Sequence, residues 1–526
     1  MAFERPGVYV REVPSQPQIT PQNTATAVAF VGTALRGPTS PILINTWASY
    51  VSNFGPLSND YDLGYAVYNY FANGGRDAYV TRVVGNSTTA ATFSTAALPT
   101  NTSATPPVAG TLFTLTAKSA GAWAYNTTGQ TDGLQAEITF DPATLVAGAA
   151  TDTIRINTSS VFSLSLKYKG AEIERWQELS LDPTSGRYVK DVLNLFSTYV
   201  DCSIPTTIAT GSYLIVSTGA DTALTIDFTT ATNGGAPDAT SYDTAIKKYD
   251  SIKVPLLINF VGQTDATTVS KAVNYASNRG DCFVIVDCAL TADASAVTTQ
   301  VSALLATGIS PSYAGIYFPA LRLADPARTG PASIRTCFAG GTVAGAFIRS
   351  ENTRGVAKAP AGYSLDLRNV FGLAVTTTTE AQEATLYNTK NVNVMRSIPG
   401  GTFVINGART LASTRPEKFV PVRRTLNYLK SSLENQTSFA VFEPNDSRLW
   451  DKIKNRLGAN LTNFWAAGNL KGSSATEAFY IICDESNNTT ATINDGFVNI
   501  EVGVSLLNPA EFVIINISQW AGENSL

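Results

Sequence analysis

Val422, Leu426, Leu429 and Leu433 recur at helical spacing and put one apolar stripe on a helix that opens at Pro421. Phe439–Phe442 reads as a short strand after it. Pro444-Asn-Asp446 then opens a second helix, with Leu449, Ile453, Leu457 and Leu461 on one face and Arg448, Lys452, Lys454 and Arg456 elsewhere. Phe479–Cys483 reads as a strand. Val498, Ile500, Val502, Val504 and Leu506 then alternate with Asn499, Glu501, Gly503 and Ser505, the period of a half-buried strand. Phe512–Ile517 closes the pattern as a strand beyond the Pro509 break. Residues 416–507 are thus expected to form a compact α/β module, with 508–526 as a terminal strand or arm.

Helix and strand signals also alternate upstream. Val28–Gly32 reads as a buried strand, and Thr46 caps a helix whose apolar face is Trp47, Tyr50, Val51 and Phe54. A second helix carries Leu63, Val67, Tyr70 and Phe71 and stops at Gly74-Gly75, before a strand from Ala78 to Val84. The rhythm resumes at Tyr242. Pro255–Val261 and Cys282–Asp287 read as strands, Ala266–Asn278 and 293–305 as helices, and Gly315–Phe318 as a further strand, a parallel-sheet pattern. Residues 25–85 and 242–415 are therefore expected to form one α/β core domain.

Residues 86–241 interrupt that core. From Val83 through Ala117 there is no charged residue, and Ser, Thr, Ala and Pro dominate. Short β-like runs follow at Leu112–Leu115, Leu134–Phe140, Thr153–Ile156, Phe162–Tyr168, Tyr213–Ser217 and Leu224–Phe228, with Tyr188–Tyr199 as a helix. An inserted β-rich domain, sandwich or barrel-like, is expected. The first 24 residues hold one short alternating run, Val8 and Val10 against Tyr9 and Arg11, before prolines at 14, 17 and 21. A strand this short cannot bury a core alone, so it must add to a sheet in its own chain or a neighbour's.

Composition narrows the chemistry. The 526 residues contain no histidine, which removes Ser-His-Asp and Cys-His catalysis and His-based zinc sites together. Gly340-Gly341 and Gly345 are the nearest approach to a phosphate loop, but no Lys follows, and close packing of a helix backbone is the expectation. Asp281 and Asp287 flank a strand and read as turn or cap residues rather than a general acid/base pair. No catalytic, cofactor-binding or metal-binding residue is therefore expected. With 37 Lys and Arg against 41 Asp and Glu, net −4, nothing suggests a nucleic-acid binder. Five cysteines without C-x-x-C spacing suggest scattered buried thiols. No secretory signal and no apolar run of about 18 residues occurs, so assembly in the cytoplasm without membrane insertion is expected.

Seven segments together resemble the contractile-tail sheath proteins. They are Arg5-Pro-Gly-Val-Tyr-Val-Arg-Glu-Val13, Val28-Ala-Phe-Val-Gly-Thr33 ahead of Gly37-Pro38, and Phe71-Ala-Asn-Gly-Gly-Arg-Asp-Ala-Tyr-Val80. Further on come Gly340-Gly-Thr-Val-Ala-Gly-Ala-Phe347, Arg354-Gly-Val-Ala-Lys-Ala-Pro360, Ile405-Asn-Gly-Ala-Arg-Thr-Leu411 and Asn508-Pro-Ala-Glu-Phe-Val-Ile514. The likeness fails between about Asn86 and Tyr242. Where the family usually shows Pro-Pro-Ser before the glycines, this chain has Ile334-Arg-Thr-Cys337.

The resemblance implies a structural subunit of a helical sheath of stacked rings in a virion tail. Such a sheath surrounds an inner tail tube, meets baseplate and tail terminator proteins, and contracts to drive the tube through a bacterial envelope. A non-phage contractile injection system is the alternative, and a cytosolic α/β enzyme the remote one. On this reading Val8, Tyr9, Val10 and Val13, with Phe512, Val513, Ile514 and Ile515, exchange strands between subunits, and the insertion faces outward. Arg448, Lys452, Lys454 and Arg456 face the tube, with Arg423, Arg424 and Lys430 on the helix after Pro421 as second choice.

Overall fold

The computed structural model describes residues 26–85, 95–97, 113–126, 132–144, 153–156, 159–204, 214–217, 223–228, 231, 234–375, 379–414 and 416–511. The strands expected at Val8–Val13 and Phe512–Ile517 lie outside them. The chain is a mixed α/β protein of two compact units. One is built from residues up to Phe30, Tyr65–Tyr79 and Tyr249 onward, the other from Val31–Gly64 and Val80–Lys248.

In the first unit, the strands Leu256–Phe260, Phe283–Asp287, Ala314–Phe318, Asn393–Ile398 and Thr402–Asn406 lie side by side in that order. Leu257 opposite Phe283, Val284 opposite Ala314 and Tyr317 opposite Asn393 are parallel pairings, and only Val394 opposite Asn406 at the edge is antiparallel. Residues 256–260, 283–287 and 314–318 are buried throughout, as continuous apolar runs between helical layers must be. The helix Ala266–Arg279 starts where Asp265 accepts from the Thr267 and Thr268 amides, and stops at Gly280, left-handed at φ 79°.

The helix Gly340–Arg354 is pressed into this unit through its glycines. A Cβ on Gly341 would lie 2.1 Å from the Ala66 carbonyl oxygen, and one on Gly345 2.6 Å from that of Tyr70. The expectation of close backbone packing is met. This helix has no side-chain cap of its own. Instead the buried Asp287 carboxylate accepts from the Gly340 amide at 2.7 Å and from Asn259 Nδ2 at 3.1 Å. Only the first turn of the helix meets the carboxyl end of Phe283–Asp287; further along, Phe347 stacks on Phe283 at the start of that strand, so the helix lies along the sheet.

The C-terminal part of the same unit holds the helices Val420–Thr437 and Ser447–Ala466 and the antiparallel pair Phe479–Ile482 with Glu501–Val504. Leu449, Ile453, Leu457 and Leu461 are buried as their spacing predicts, and Val498, Ile500, Val502, Val504 and Leu506 all pack on them. The strand pairing is shorter than the alternating run, but the buried face is the expected one. Phe439–Phe442 is not a strand. Ser438–Ala440 is a 3-10 turn, because a short link between two packed helices has no free sheet edge to join.

The second unit contains the helix Trp47–Phe54, capped by Thr46, and three antiparallel sheets of four, three and two strands. Phe113, Leu115, Ile138, Phe162, Leu164, Leu193, Val200 and Phe228 share one core, against which Leu35 also packs. The nearly buried Arg36 reaches the carbonyls of Val51, Ser52 and Asn53 and stacks on Tyr199 at 4.7 Å, closing the end of the Trp47–Phe54 helix. Several strands escape the hydrophobic pattern, Ile42–Ile44 and Thr95–Ala97 among them. Ala171–Ser180 lies at the edge of the four-stranded sheet with charges on both faces, and Val200–Ser203 follows the helix expected at Tyr188–Tyr199, which stops at Phe196.

Candidate anchoring and contact surfaces

One buried ionic site lies at the last described residue. Its frame is the strand pair Asn393–Ile398 and Thr402–Asn406 with the helix Glu380–Lys390, which Thr379 and Gln382 close at its start with a capping box. The side-chain amide of Asn393 holds the Arg409 backbone from both sides, accepting from its N–H at 2.7 Å and donating to its carbonyl at 2.8 Å. Gly407 leaves room for Tyr387, whose ring carbon would lie 2.8 Å from a Cβ there.

With its backbone fixed, the Arg409 guanidinium lies 3.7 Å from the Tyr387 ring centroid and donates through Nη1 to the Tyr387 carbonyl at 2.8 Å. Its Nε and Nη2 grip the two Glu511 carboxylate oxygens at 2.9 and 2.6 Å, and the Tyr387 hydroxyl donates to the same carboxylate. Such a bidentate, charge-assisted pair is among the strongest contacts a side chain makes. Burial opposes ionisation of Glu511, but the Arg409 and Tyr387 hydrogen bonds outweigh it and hold its carboxyl below the ordinary value. Burial also pushes the Tyr387 hydroxyl up, so it stays a donor. Beside the pair opens a cleft of about 860 Å³ lined by Arg354, Lys358, Glu383, Arg396 and Asn508 among others.

A second buried ionic group lies at the other end of the described chain. Glu351 accepts from the Thr26 hydroxyl at 2.7 Å and pairs with Arg424. Arg423, 1% exposed, pairs with Glu417 and stacks 4.4 Å from the Tyr313 ring. Lys430 donates to the Arg279 carbonyl at 2.7 Å. These contacts correct the second choice of a contact surface: Arg423 and Arg424 point into the protein, and Lys430 is half-buried.

The first choice is exposed. Asp446 caps the helix Ser447–Ala466 and also accepts from Arg448 Nε at 2.8 Å. Lys452 Nζ and the Arg456 guanidinium carbon lie 4.8 and 4.9 Å from the Phe439 ring centroid, so the structure brings these two cations to one aromatic ring. Arg448 is one turn earlier on the same stripe. Lys454 is not part of it: it is half-buried and pairs with Asp451 at 3.1 Å. Sequence reasoning missed Phe442, which stands 89% exposed at φ 68° just before this helix, because it was read into a strand.

Among the described residues no group of three or more His, Cys, Asp or Glu could hold a metal ion, and no helix is long and apolar enough to cross a membrane. All five cysteines are free and buried. Sequence reasoning also quoted the segments holding Arg409 and Glu511 without pairing them. The available signal was an isolated Arg and an isolated Glu in segments otherwise almost uncharged.

Residues 413–519 match the family model of the phage tail sheath C-terminal domain. The tail sheath protein of Enterobacteria phage T4 is 28% identical over 155 residues, 29% of this chain and 22% of that protein. That of Vibrio phage KVP40 is 26% identical over 179 residues, 34% of this chain and 25% of that protein. The chain thus matches a quarter or less of the length of these curated relatives. Its fold extends further. The sheath of the PVC extracellular contractile injection system, in the contracted state, superposes with a TM-score of 0.57 over 99% of both chains at 18% identity. A sheath tail protein from Listeria innocua gives 0.58 over 89% of this chain and 90% of that one, at 11% identity. The C-terminal part of the chain is thus similar in sequence to phage tail sheath proteins, and the chain shares the fold of the sheath of a contractile injection system and of a sheath tail protein.

Proposed function

We propose that the chain is the repeating subunit of a contractile sheath, which polymerises into stacked rings around an inner tail tube and drives that tube forward when the lattice collapses. The observation that carries this reading is a likeness in fold to solved contractile sheaths over 98–99% of the chain, alongside the sheath-family match at its C-terminus. The subunit would belong to a virion tail, assembled in the host cytoplasm and meeting baseplate and terminator proteins at the ends of the sheath. Val8, Tyr9, Val10, Val13 and Phe512–Ile515 would add as strands to neighbouring copies, where main-chain hydrogen bonds give affinity without any decisive side chain.

The stripe of Arg448, Lys452 and Arg456 would meet the tube. A sheath has to hold its tube and later release it, and exposed charges suit both needs: each is weak, screened by salt and summed over many subunits. Sedimentation velocity of the purified chain tests the reading. Large, concentration-dependent polymers that recruit tube subunits at low salt are expected. A 55.7 kDa monomer at every concentration would overturn it.

A further inference from the structure

Parts of three of the seven segments that carry the sheath resemblance, within 354–359, 406–408 and 508–511, converge on the cleft beside Glu511. The pair at its wall joins residues 102 positions apart in sequence. We propose that Glu511, gripped by Arg409 and Tyr387, is the fixed root from which residues 512–526 are presented to a second copy of the chain. Arg409 and Tyr387 are then positioning residues for assembly. The inference rests on the sheath reading given above.

The geometry is over-determined for a chance surface contact. The Arg409 guanidinium spends Nε and Nη2 on Glu511 and Nη1 on the Tyr387 carbonyl, while Asn393 fixes its backbone on both sides. The grip therefore runs from Glu511 through Arg409 into the strand Asn393–Ile398 of the main sheet. A segment that joins two subunits acts as a tether, and its effective concentration at the far site falls when slack is added at the near end. Releasing Glu511 frees the chain back through Leu507 to Ala510, which line the same cleft. The terminal segment would then leave from a moving point, and affinity between copies would drop although no residue that touches the neighbour has changed.

The test uses the full chain with Glu511→Gln and, separately, Tyr387→Phe, which removes one hydrogen bond to Glu511 but keeps the ring under Arg409. Hydrogen exchange of residues 507–511 in the monomer reports the grip, thermal melting reports the fold, and the critical concentration for sedimenting polymer reports assembly. Glu511→Gln is expected to speed exchange and raise the critical concentration about tenfold, and Tyr387→Phe about threefold, as loss of charge-assisted hydrogen bonds should. Melting of Tyr387→Phe should stay at the parent value. Unchanged exchange would show that there is no grip. Faster exchange with an unchanged critical concentration, or assembly falling only in step with melting, would remove the positioning role. A parent protein that never polymerises defeats the sheath reading and the positioning role with it, while exchange still reports the grip on its own.

Discussion

At Gly341 a single methyl group decides whether a helix fits. A Cβ there would meet the Ala66 backbone carbonyl, which cannot swing aside as a side-chain end could, so Gly341→Ala must shift a helix. We expect about 1–3 kcal/mol of destabilisation, the usual cost of overpacking, read as a lower melting temperature. The glycine pattern itself was legible as a close approach, but its partners, some 270 positions away, were not.

The cysteines were legible as buried thiols. Burial pushes Cys202 and Cys288 up to about 12 and Cys483 to about 11, and holds Cys282 well above the ordinary value. With so little thiolate at neutral pH, they should resist a thiol reagent in the native protein, all five reacting after denaturation. Rapid labelling of two or more without unfolding would contradict the packing. Glu511 sets an acid limit. Its folded carboxyl is held below the ordinary Glu value, facing Arg409, Tyr387 and Lys418, so its stabilisation is complete above that ordinary value and disappears as pH falls through the folded one. Parent stability should therefore fall more steeply in acid than that of Glu511→Gln, and parallel pH profiles would contradict this.

Elements were most legible where a cap and a periodic stripe agree. Asp446 with Leu449, Ile453, Leu457 and Leu461, or Asp265 ahead of Ala266–Arg279, leaves one helix start and one buried face. Ala171–Ser180 was illegible because an edge strand pairs on one side only and can carry charge on both faces, which also guards it against stray pairing. The helix Val420–Thr437 misled in another way. Its apolar stripe is real, but Arg423 stacks on Tyr313 and Arg424 pairs with Glu351, partners far along the chain that periodicity does not reveal. The exposed stripe belongs to the next helix. Lys452→Glu with Arg456→Glu should change stability by no more than about 1 kcal/mol, since only exposed contacts with Phe439 are lost. The same variant should bind tube subunits markedly less well at low salt. Co-sedimentation equal to the parent's would return these residues to an ordinary solvated face.

For the whole molecule, the α/β class and a β-rich interruption were visible in the changing period of the hydrophobic pattern. The company kept by residues 31–64 was not. Leu35 and Arg36 share a core with the strands and helix of 113–228, a long-range packing that local pattern cannot encode. Replacing residues 88–238 by a short linker should therefore lower the melting temperature, because Leu35 and Arg36 lose their partners, and an unchanged melt would contradict that shared core. The sheath account makes its largest claim about the termini, where short strands would link rigid subunits into a lattice. Negative-stain electron microscopy of the full chain beside a variant lacking residues 1–22 tests it most directly. The account predicts long hollow cylinders from the full chain and only folded single particles, with an unaltered melting temperature, from the variant. Discrete monomers from the full chain, or cylinders equally abundant from both, would contradict it.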